Sequence, residues 1–219
     1  MSSSYRAPYN APAASHRYVL DLVRSTDRDR FLCSLFAPEP ARSGLLALLA
    51  LDHELARTPA VTSEPLLAEI RLEWWREAVA EAAGDGKPRA QPIVEALSEI
   101  ARRHALSREA LVELIDARAE EVEGPLDVVR TGNALANLQL AVLDVADEPS
   151  RHAARAVAAA KLMGDGPERA ALLAEARAHR AEVDPAALPI LLPARLLDRP
   201  LAAWQKPIVL WWAAQRGRW

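Results

Sequence analysis

The 219-residue chain has a formal net charge of −3 and 51% hydrophobic residues, enough apolar side chain to close the core of one domain without disulfides or metals. Its arginines are spread along the whole length and its pI is about 6.0, which argues against nucleic acid as a partner. The single cysteine, Cys33, excludes an internal disulfide and a thiolate metal cage and is typical of a cytoplasmic protein.

The predicted elements begin after a tail. Residues 1–14 are rich in Ser, Ala, Pro and Tyr and predict a flexible tail, followed by one helical domain over residues 15–219. Ala, Leu, Arg and Glu dominate that domain and favour helix. Proline, glycine and serine breaks divide it into roughly nine to eleven helices, and the short loops predict an antiparallel bundle. No stretch reaches the roughly 20 uncharged apolar residues of a spanning helix, so only a peripheral membrane contact stays open.

The first long helix is predicted from Pro40, and near its end lies the polar segment Asp52-His53-Glu54. Carboxylates that project into a helical bundle can hold Mg²⁺ against a diphosphate. Residues four apart share a helical face, but the residue four after Asp52 is Ala56, and the residue four after Glu54 is Thr58. Asp52 is therefore interpreted as part of a solvated polar turn, and the role of Glu54 stays open.

A second long helix is predicted within Glu64–Ala83, with Ser63 as a candidate N-cap. Its apolar residues recur near helical spacing and predict a buried face. That predicted face consists of Leu66, Ile70, Trp74 and Val79. The next two helices repeat the pattern, and Ser107 is the predicted cap of the second. Their predicted core residues are Ile93, Leu97, Ile100, Leu106, Leu111, Leu114 and Ile115.

Motifs of several common catalytic sites are missing from the sequence. The five histidines do not form the His-Glu-x-x-His pattern of a zinc site, and no glycine-rich phosphate loop or Gly-x-Ser-x-Gly elbow occurs. Cys33 lies in an apolar segment, where a buried structural thiol is more common than a nucleophile. These observations argue against zinc, nucleotide and covalent-hydrolase sites.

Two tryptophan pairs, Trp74-Trp75 and Trp211-Trp212, are large amphipathic anchors. Adjacent helical residues point about 100° apart, so one indole of each pair is predicted to lie in the core and the other at its edge. The second pair lies near two arginines, a composition that suits a peripheral membrane contact. Trp211 is expected to pack inside and Trp219 to be exposed. The predicted membrane contacts are Trp212, Arg216, Arg218 and Trp219.

A family resemblance rests on the order and spacing of several segments. They are Asp27–Phe31, Ser34–Pro38, Arg42 with the helix Leu45–Ala56, Arg71–Ala78, the helix start Gln91-Pro92-Ile93, and Leu114–Arg118. In these segments the chain resembles the squalene/phytoene synthase family, all-α enzymes that join two prenyl diphosphates head to head inside a helical cavity. The resemblance covers most of the chain. It implies an all-α, single antiparallel bundle of the isoprenoid synthase type, shortened at its C-terminal end.

The acidic motifs by which that family holds magnesium are altered in this chain. Where the first aspartate-rich motif falls, Glu54, Ala56, Arg57 and Ala60 form a degenerate motif. The second motif is expected after Lys161–Gly164, where the chain leads directly into an alanine-rich helix. The resemblance therefore implies no bound metal, because alanine and arginine do not offset the charge of Mg²⁺.

The chain is most similar to a degenerate branch of the family that includes a mitochondrial complex I assembly factor. This implies a non-catalytic scaffold that binds a protein partner in a membrane complex or a prenyl-like lipid, in the cytoplasm or peripherally on the inner membrane. Two alternatives stay open: a head-to-head prenyl transferase with an unconventional Mg²⁺ site at Asp52, Glu54 and Asp116, or a regulatory subunit of such an enzyme. The candidate cavity or partner contacts are Asp52, His53, Arg71, Trp74, Trp75 and Asp116.

Overall fold

Helices make up the regular structure of the described part of the chain. The computed structural model describes residues 11–61, 65–84 and 86–219, and within these ranges it has thirteen α-helices and no strand. Residues 1–10 of the predicted tail and the predicted cap at Ser63 lie outside the described residues. Residues 11–14, assigned to the tail from the sequence, are helical. The helices are α1 (Ala11–Thr26), α2 (Arg28–Ser34), α3 (Ala41–Ala56), α4 (Thr58–Val61), α5 (Pro65–Ala82), α6 (Pro92–His104), α7 (Arg108–Glu123), α8 (Val128–Val142), α9 (Glu148–Leu162), α10 (Pro167–Ala178), α11 (Leu188–Leu191), α12 (Pro193–Leu197) and α13 (Gln205–Gln215), with a short 3-10 turn (Pro185–Ala187) before α11.

Short polar residues begin several of these helices. The Ser107 hydroxyl accepts a hydrogen bond from the Ala110 N–H at 3.1 Å at the start of α7. Asp184 accepts one from the Ala186 N–H at 2.8 Å. Each such bond satisfies a backbone N–H that has no partner inside the helix. The Ser107 cap confirms the sequence prediction.

Helix α3 lies at the centre of the fold. Twelve of its sixteen residues are buried, and it packs against α1, α6, α7 and α8. A helix that is buried on nearly every side must be apolar on nearly every side. The run Leu45–Leu51 meets that requirement. The two acidic residues near its C-terminal end, Asp52 and Glu54, are therefore carried into the interior of the bundle.

Helices α8 and α9 approach each other closely because both present small residues. A Cβ atom on Gly132 of α8 would lie 2.6 Å from the backbone nitrogen of Ala159 on α9. Any residue larger than glycine at this position would push the two helices apart. The alanine-rich α9 therefore packs closely against α8.

The predicted core is confirmed in α6 and α7 and wrong in α5. All seven core residues predicted for the former pair of helices are buried. In α5, Leu66 and Ile70 are exposed, and Val79 is the one predicted member that is buried. The buried face consists of Ala68, Leu72, Trp75, Ala78, Val79 and Ala82. Both faces have helical spacing, but the buried one contains three alanines, which allow close packing against α6 and α7.

Candidate functional site

Asp52 is buried at the centre of an ion-pair network. Its side chain is 1% exposed, and Arg30 of α2 donates to Oδ2 at 3.0 Å. Arg118 of α7 donates to Oδ1 from Nε at 3.1 Å and from Nη2 at 2.6 Å. The interpretation of Asp52 as a solvated turn residue is therefore wrong. Both partners come from other helices, so they bury the carboxylate in a way that its local sequence does not indicate.

The charges around Asp52 keep it ionised. Burial alone would raise the pKa of Asp52, but the neighbouring guanidinium groups of Arg30 and Arg118 outweigh it and hold the pKa below its usual value. Burial likewise opposes the charge of Arg30, yet Asp52 and Asp27 raise the pKa of its guanidinium. Asp27 caps α2 by accepting from the Arg30 N–H, and Lys161 lies 3.8 Å from its carboxylate. The network therefore joins α2, α3, α7 and α9.

Glu54 is the second carboxylate of α3, and two arginines bind it as well. Arg57 donates to Oε1 at 2.9 Å and Arg71 of α5 donates to Oε2 at 2.8 Å. Glu54 is buried, whereas both arginines reach solvent. Arg57 thus folds back on Glu54. Of the other residues of the predicted degenerate motif, Ala56 is partly exposed and the backbone of Ala60 belongs to α4.

The remaining predicted acidic residue, Asp116, pairs with a different arginine. Arg76 of α5 donates to Asp116 Oδ1 from Nε at 2.8 Å and also contacts Glu73. Among the described residues, no three His, Cys, Asp or Glu side chains are grouped so that they could hold a metal ion. Asp52, Glu54 and Asp116 therefore do not form one carboxylate cluster. His53 is partly exposed.

A small cavity lies beside the Asp52 network, between α2, α3, α8, α9, α11 and α12. Its volume is about 30 Å³, the room of roughly one water molecule. Arg30 and Lys161 are its charged lining residues, and most of the other lining residues are apolar, among them leucines of α3 and α8. Sequence reasoning did not assign a role to Arg30 or Arg118, although both stand in the segments that carry the family resemblance. Their paired position was visible only after folding.

An open apolar groove lies on the outer face of α5. Its volume is about 540 Å³, and Leu67, Ile70 and Trp74 line it next to Arg71 and Glu54. Trp74 is 37% exposed and Trp75 is 2% exposed, and their rings meet edge to face at 4.9 Å. This confirms that one indole of the pair is buried and the other lies at the edge. Arg71 and Trp74 therefore share one surface, whereas Trp75 belongs to the core.

The C-terminal tryptophans are arranged opposite to the prediction. Trp219 is 3% exposed, while Trp211 and Trp212 are about half exposed. Gly217 has a positive φ, and the N–H groups of Gly217 and Arg218 bond back to carbonyls of the last turn of α13, a Schellman motif that reverses the chain. This turn brings Trp219 under the guanidinium of Arg180, whose Cζ lies 5.3 Å from the ring centroid. The expectation of an exposed Trp219 and a packed Trp211 is wrong.

Fold and site together define a helical protein of the isoprenoid synthase fold whose central carboxylates are bound by arginines. The crystal structure of squalene synthase HpnC from Alicyclobacillus acidocaldarius superposes with a TM-score of 0.61, covering 95% of this chain and 98% of that one at 15% identity. The family model for squalene/phytoene synthase matches residues 23–164. The chain belongs to the squalene/phytoene synthase family.

The similar curated proteins are complex I assembly factors by name. The chain is 31% identical over 153 residues to NADH dehydrogenase (ubiquinone) complex I, assembly factor 6 of Bos taurus. It is 33% identical over 149 residues to the protein of that name from Rattus norvegicus. These alignments cover 65% and 64% of this chain but 45% and 44% of the relatives. The matched region thus spans less than half the length of these relatives.

Proposed function

We propose that the protein is a non-catalytic member of the squalene/phytoene synthase family that binds a protein partner during assembly of a membrane enzyme. The respiratory NADH dehydrogenase, named in its relatives, is the proposed enzyme. The observation that carries the proposal is the pairing of Asp52 with Arg30 and Arg118. A magnesium site requires carboxylate oxygens that are open to the cation, and here guanidinium groups occupy them.

The charge balance supports the same conclusion. Asp52 and Glu54 supply two negative charges, and four arginines contact them. Asp27 and Glu121 also pair with Arg30 and Arg118 and balance the remaining charge, so the group has no net negative charge that would attract a divalent cation. The residues therefore do not fit magnesium, and no step of a prenyl transfer is assigned to them.

The size of the central cavity also supports a non-catalytic role. Pockets that enclose a small organic ligand usually have about 300 to 1,000 Å³, while the cavity beside Arg30 has about 30 Å³. A prenyl chain would have to displace packed leucines of α3 and α8, which a close-packed core resists. Binding of a prenyl substrate in this cavity is thus sterically opposed.

The proposed partner surface is the α5 face, defined as Leu66, Leu67, Ile70 and Trp74. These four apolar side chains are all exposed, and they lie beside the Glu54 and Arg71 ion pair. An apolar centre with a charged rim is the usual composition of a protein interface. A subunit of the assembling enzyme would cover the leucines and pair with the solvent-exposed guanidinium groups.

A calorimetric titration tests the loss of metal binding. Mg²⁺ added with a non-hydrolysable prenyl diphosphate analogue is expected to give no saturable heat at millimolar concentration. Saturable binding that requires Mg²⁺, or product formed from two prenyl diphosphates, would overturn the non-catalytic proposal and support the head-to-head transferase.

Gene deletion tests the assembly role. Membranes of the deletion strain are expected to lose NADH oxidation while keeping succinate oxidation, and the wild-type gene restores it. A Leu67→Ser/Ile70→Ser variant is expected not to restore it, whereas Val129→Ser, which changes an exposed apolar residue on α8, should restore it fully. Normal NADH oxidation together with an altered isoprenoid content would instead indicate a regulatory subunit of a prenyl synthase.

A further inference from the structure

The C-terminal segment from Pro193 to Trp219 differs in charge from the rest of the chain. It has five basic residues and one acidic residue, a net charge of +4, which leaves −7 for residues 1–192. Lys206 pairs with Asp29 at 2.8 Å and attaches α13 to α2. The other four basic residues are arginines, and all four line one groove.

This groove lies between α12 and α13 and has a volume of about 430 Å³. Its one carboxylate, Asp198, is bound by Arg177 at 2.7 Å and Arg195 at 3.0 Å. No carboxylate of the described residues lies within 4.0 Å of the other lining arginines, Arg199, Arg216 and Arg218. The groove therefore presents unpaired guanidinium groups.

The pKa of the neighbouring Arg180 reflects the same excess of positive charge. Burial and then the charges of Arg177, Arg195 and Arg218 lower the pKa of Arg180. Asp198 acts in the opposite direction without reversing the effect. An anion bound in the groove would relieve this repulsion.

The outer surface of α13 is apolar beside these arginines. Trp204, Ile208, Trp211 and Trp212 are all about half exposed or more. They stand at positions i, i+4, i+7 and i+8, so they share one helical face. The opposite face holds Leu210 and Ala213, which are buried against the domain. The tryptophan face is therefore left without a partner inside the described structure.

Aromatic and cationic groups also meet directly on this surface. The guanidinium carbon of Arg216 lies 4.7 Å from the centroid of the Trp212 ring, and Trp212 itself lines the groove. Indoles favour the headgroup level of a bilayer, and arginine forks bind phosphate oxygens with two hydrogen bonds. A bilayer with anionic lipid offers phosphates to the arginines and an apolar layer to the indoles. An acidic protein surface would offer only the negative charge.

We propose that α12 and α13 form a docking face for a bilayer that contains anionic phospholipid, with the groove arginines on headgroup phosphates and the indoles of Trp204, Trp211 and Trp212 at the headgroup level. This face replaces the contact expected at Trp219, which is buried. Docking to the bilayer does not depend on which enzyme the protein helps to assemble, so this proposal stands independently of the proposed function. Within the described ranges no helix, α13 included, is both long and apolar enough to cross a membrane.

Flotation of the full chain with lipid vesicles tests this docking. The chain is expected to float with vesicles of phosphatidylcholine mixed with an equal part of phosphatidylglycerol and to stay behind with phosphatidylcholine alone. Removal of one arginine near an anionic surface weakens partitioning about fivefold, so Arg199→Gln/Arg216→Gln is expected to weaken it about thirtyfold. The matched control Arg108→Gln/Arg155→Gln removes the same charge elsewhere on the chain and should float like the wild type.

Two further arms separate the sources of binding. Ile208→Ser/Trp211→Ser is expected to abolish flotation without lowering the melting temperature, because both side chains are exposed. Inorganic phosphate at millimolar concentration should not displace the chain from the mixed vesicles, since it lacks the apolar layer. Equal flotation of the groove and control variants, full displacement by phosphate, or retention on an acidic protein resin without any flotation would each overturn the proposal.

Discussion

Replacing Asp52 by asparagine removes the charge that pairs with the buried Arg118 and the partly buried Arg30. The carboxylate accepts three hydrogen bonds from Arg30 and Arg118, and Arg118 is 5% exposed. Asparagine keeps one acceptor oxygen, but its NH₂ group must then face a guanidinium donor. Breaking a buried ion pair on one side costs about 3–5 kcal/mol. For a chain of this length that corresponds to a melting temperature lower by roughly 6–20 °C.

The matched control is Glu54→Gln on the same helix. Glu54 also binds two arginines, but both reach solvent and can be hydrated after the change. Although Glu54 is buried, its arginine partners remain in contact with water, so the loss should lie closer to that of exposed ion pairs, which contribute about 0–1 kcal/mol each. This variant is expected to lose less than about 2 kcal/mol. Thermal and urea unfolding followed by far-ultraviolet circular dichroism would measure both variants. Equal losses in the two variants would refute the view that burial of the arginines sets the cost.

The pairing of Asp52 with Arg30 and Arg118 also predicts that the stability of the fold depends on pH. The folded-state pKa of Asp52 lies below its ordinary value of 3.8, so the stability that its charge contributes is fully present above that value. It is lost as pH falls through the folded-state pKa. The stability difference between wild type and Asp52→Asn should therefore narrow below about pH 4. A difference that stays constant down to the acid transition would contradict the assigned charge state.

Three further experiments test the packing, two by substitution and one by chemical labelling. Trp75→Ala should cost about 3–5 kcal/mol, and Trp74→Ala less than half as much, because only the first indole is buried; equal melting temperatures would contradict the orientation of α5. Gly132→Ala should lower the free energy of unfolding by about 1–3 kcal/mol or more, since its Cβ would meet the backbone of α9 at 2.6 Å. The control Gly164→Ala should be neutral, because a Cβ there meets nothing within 4 Å. Burial and neighbouring carboxylates raise the pKa of the Cys33 thiol, so an alkylating reagent is expected to label it only after unfolding; rapid labelling of the folded chain would show that the thiol is accessible.

The helical class and many helix boundaries follow from the sequence alone, because they depend on neighbours a few residues apart. A cap such as Ser107 needs only the next turn of its own helix. The 100° step between adjacent residues is equally local, and it was enough to predict that one member of the Trp74-Trp75 pair would be buried. The family resemblance rested on the order of such segments, and it was confirmed.

The surroundings of each charged or aromatic side chain were decided by the tertiary structure. In the sequence, Asp52 is a polar residue near the end of a helix. In the fold, α2 and α7 place Arg30 and Arg118 against it, from 22 and 66 residues away along the chain. The sequence predicts that Trp219 is exposed, but the turn at Gly217 brings its side chain under Arg180. Local spacing fixes the direction of a side chain on its helix, but the free energy of burying it depends on the groups that other helices place opposite, and these meet only when the bundle closes.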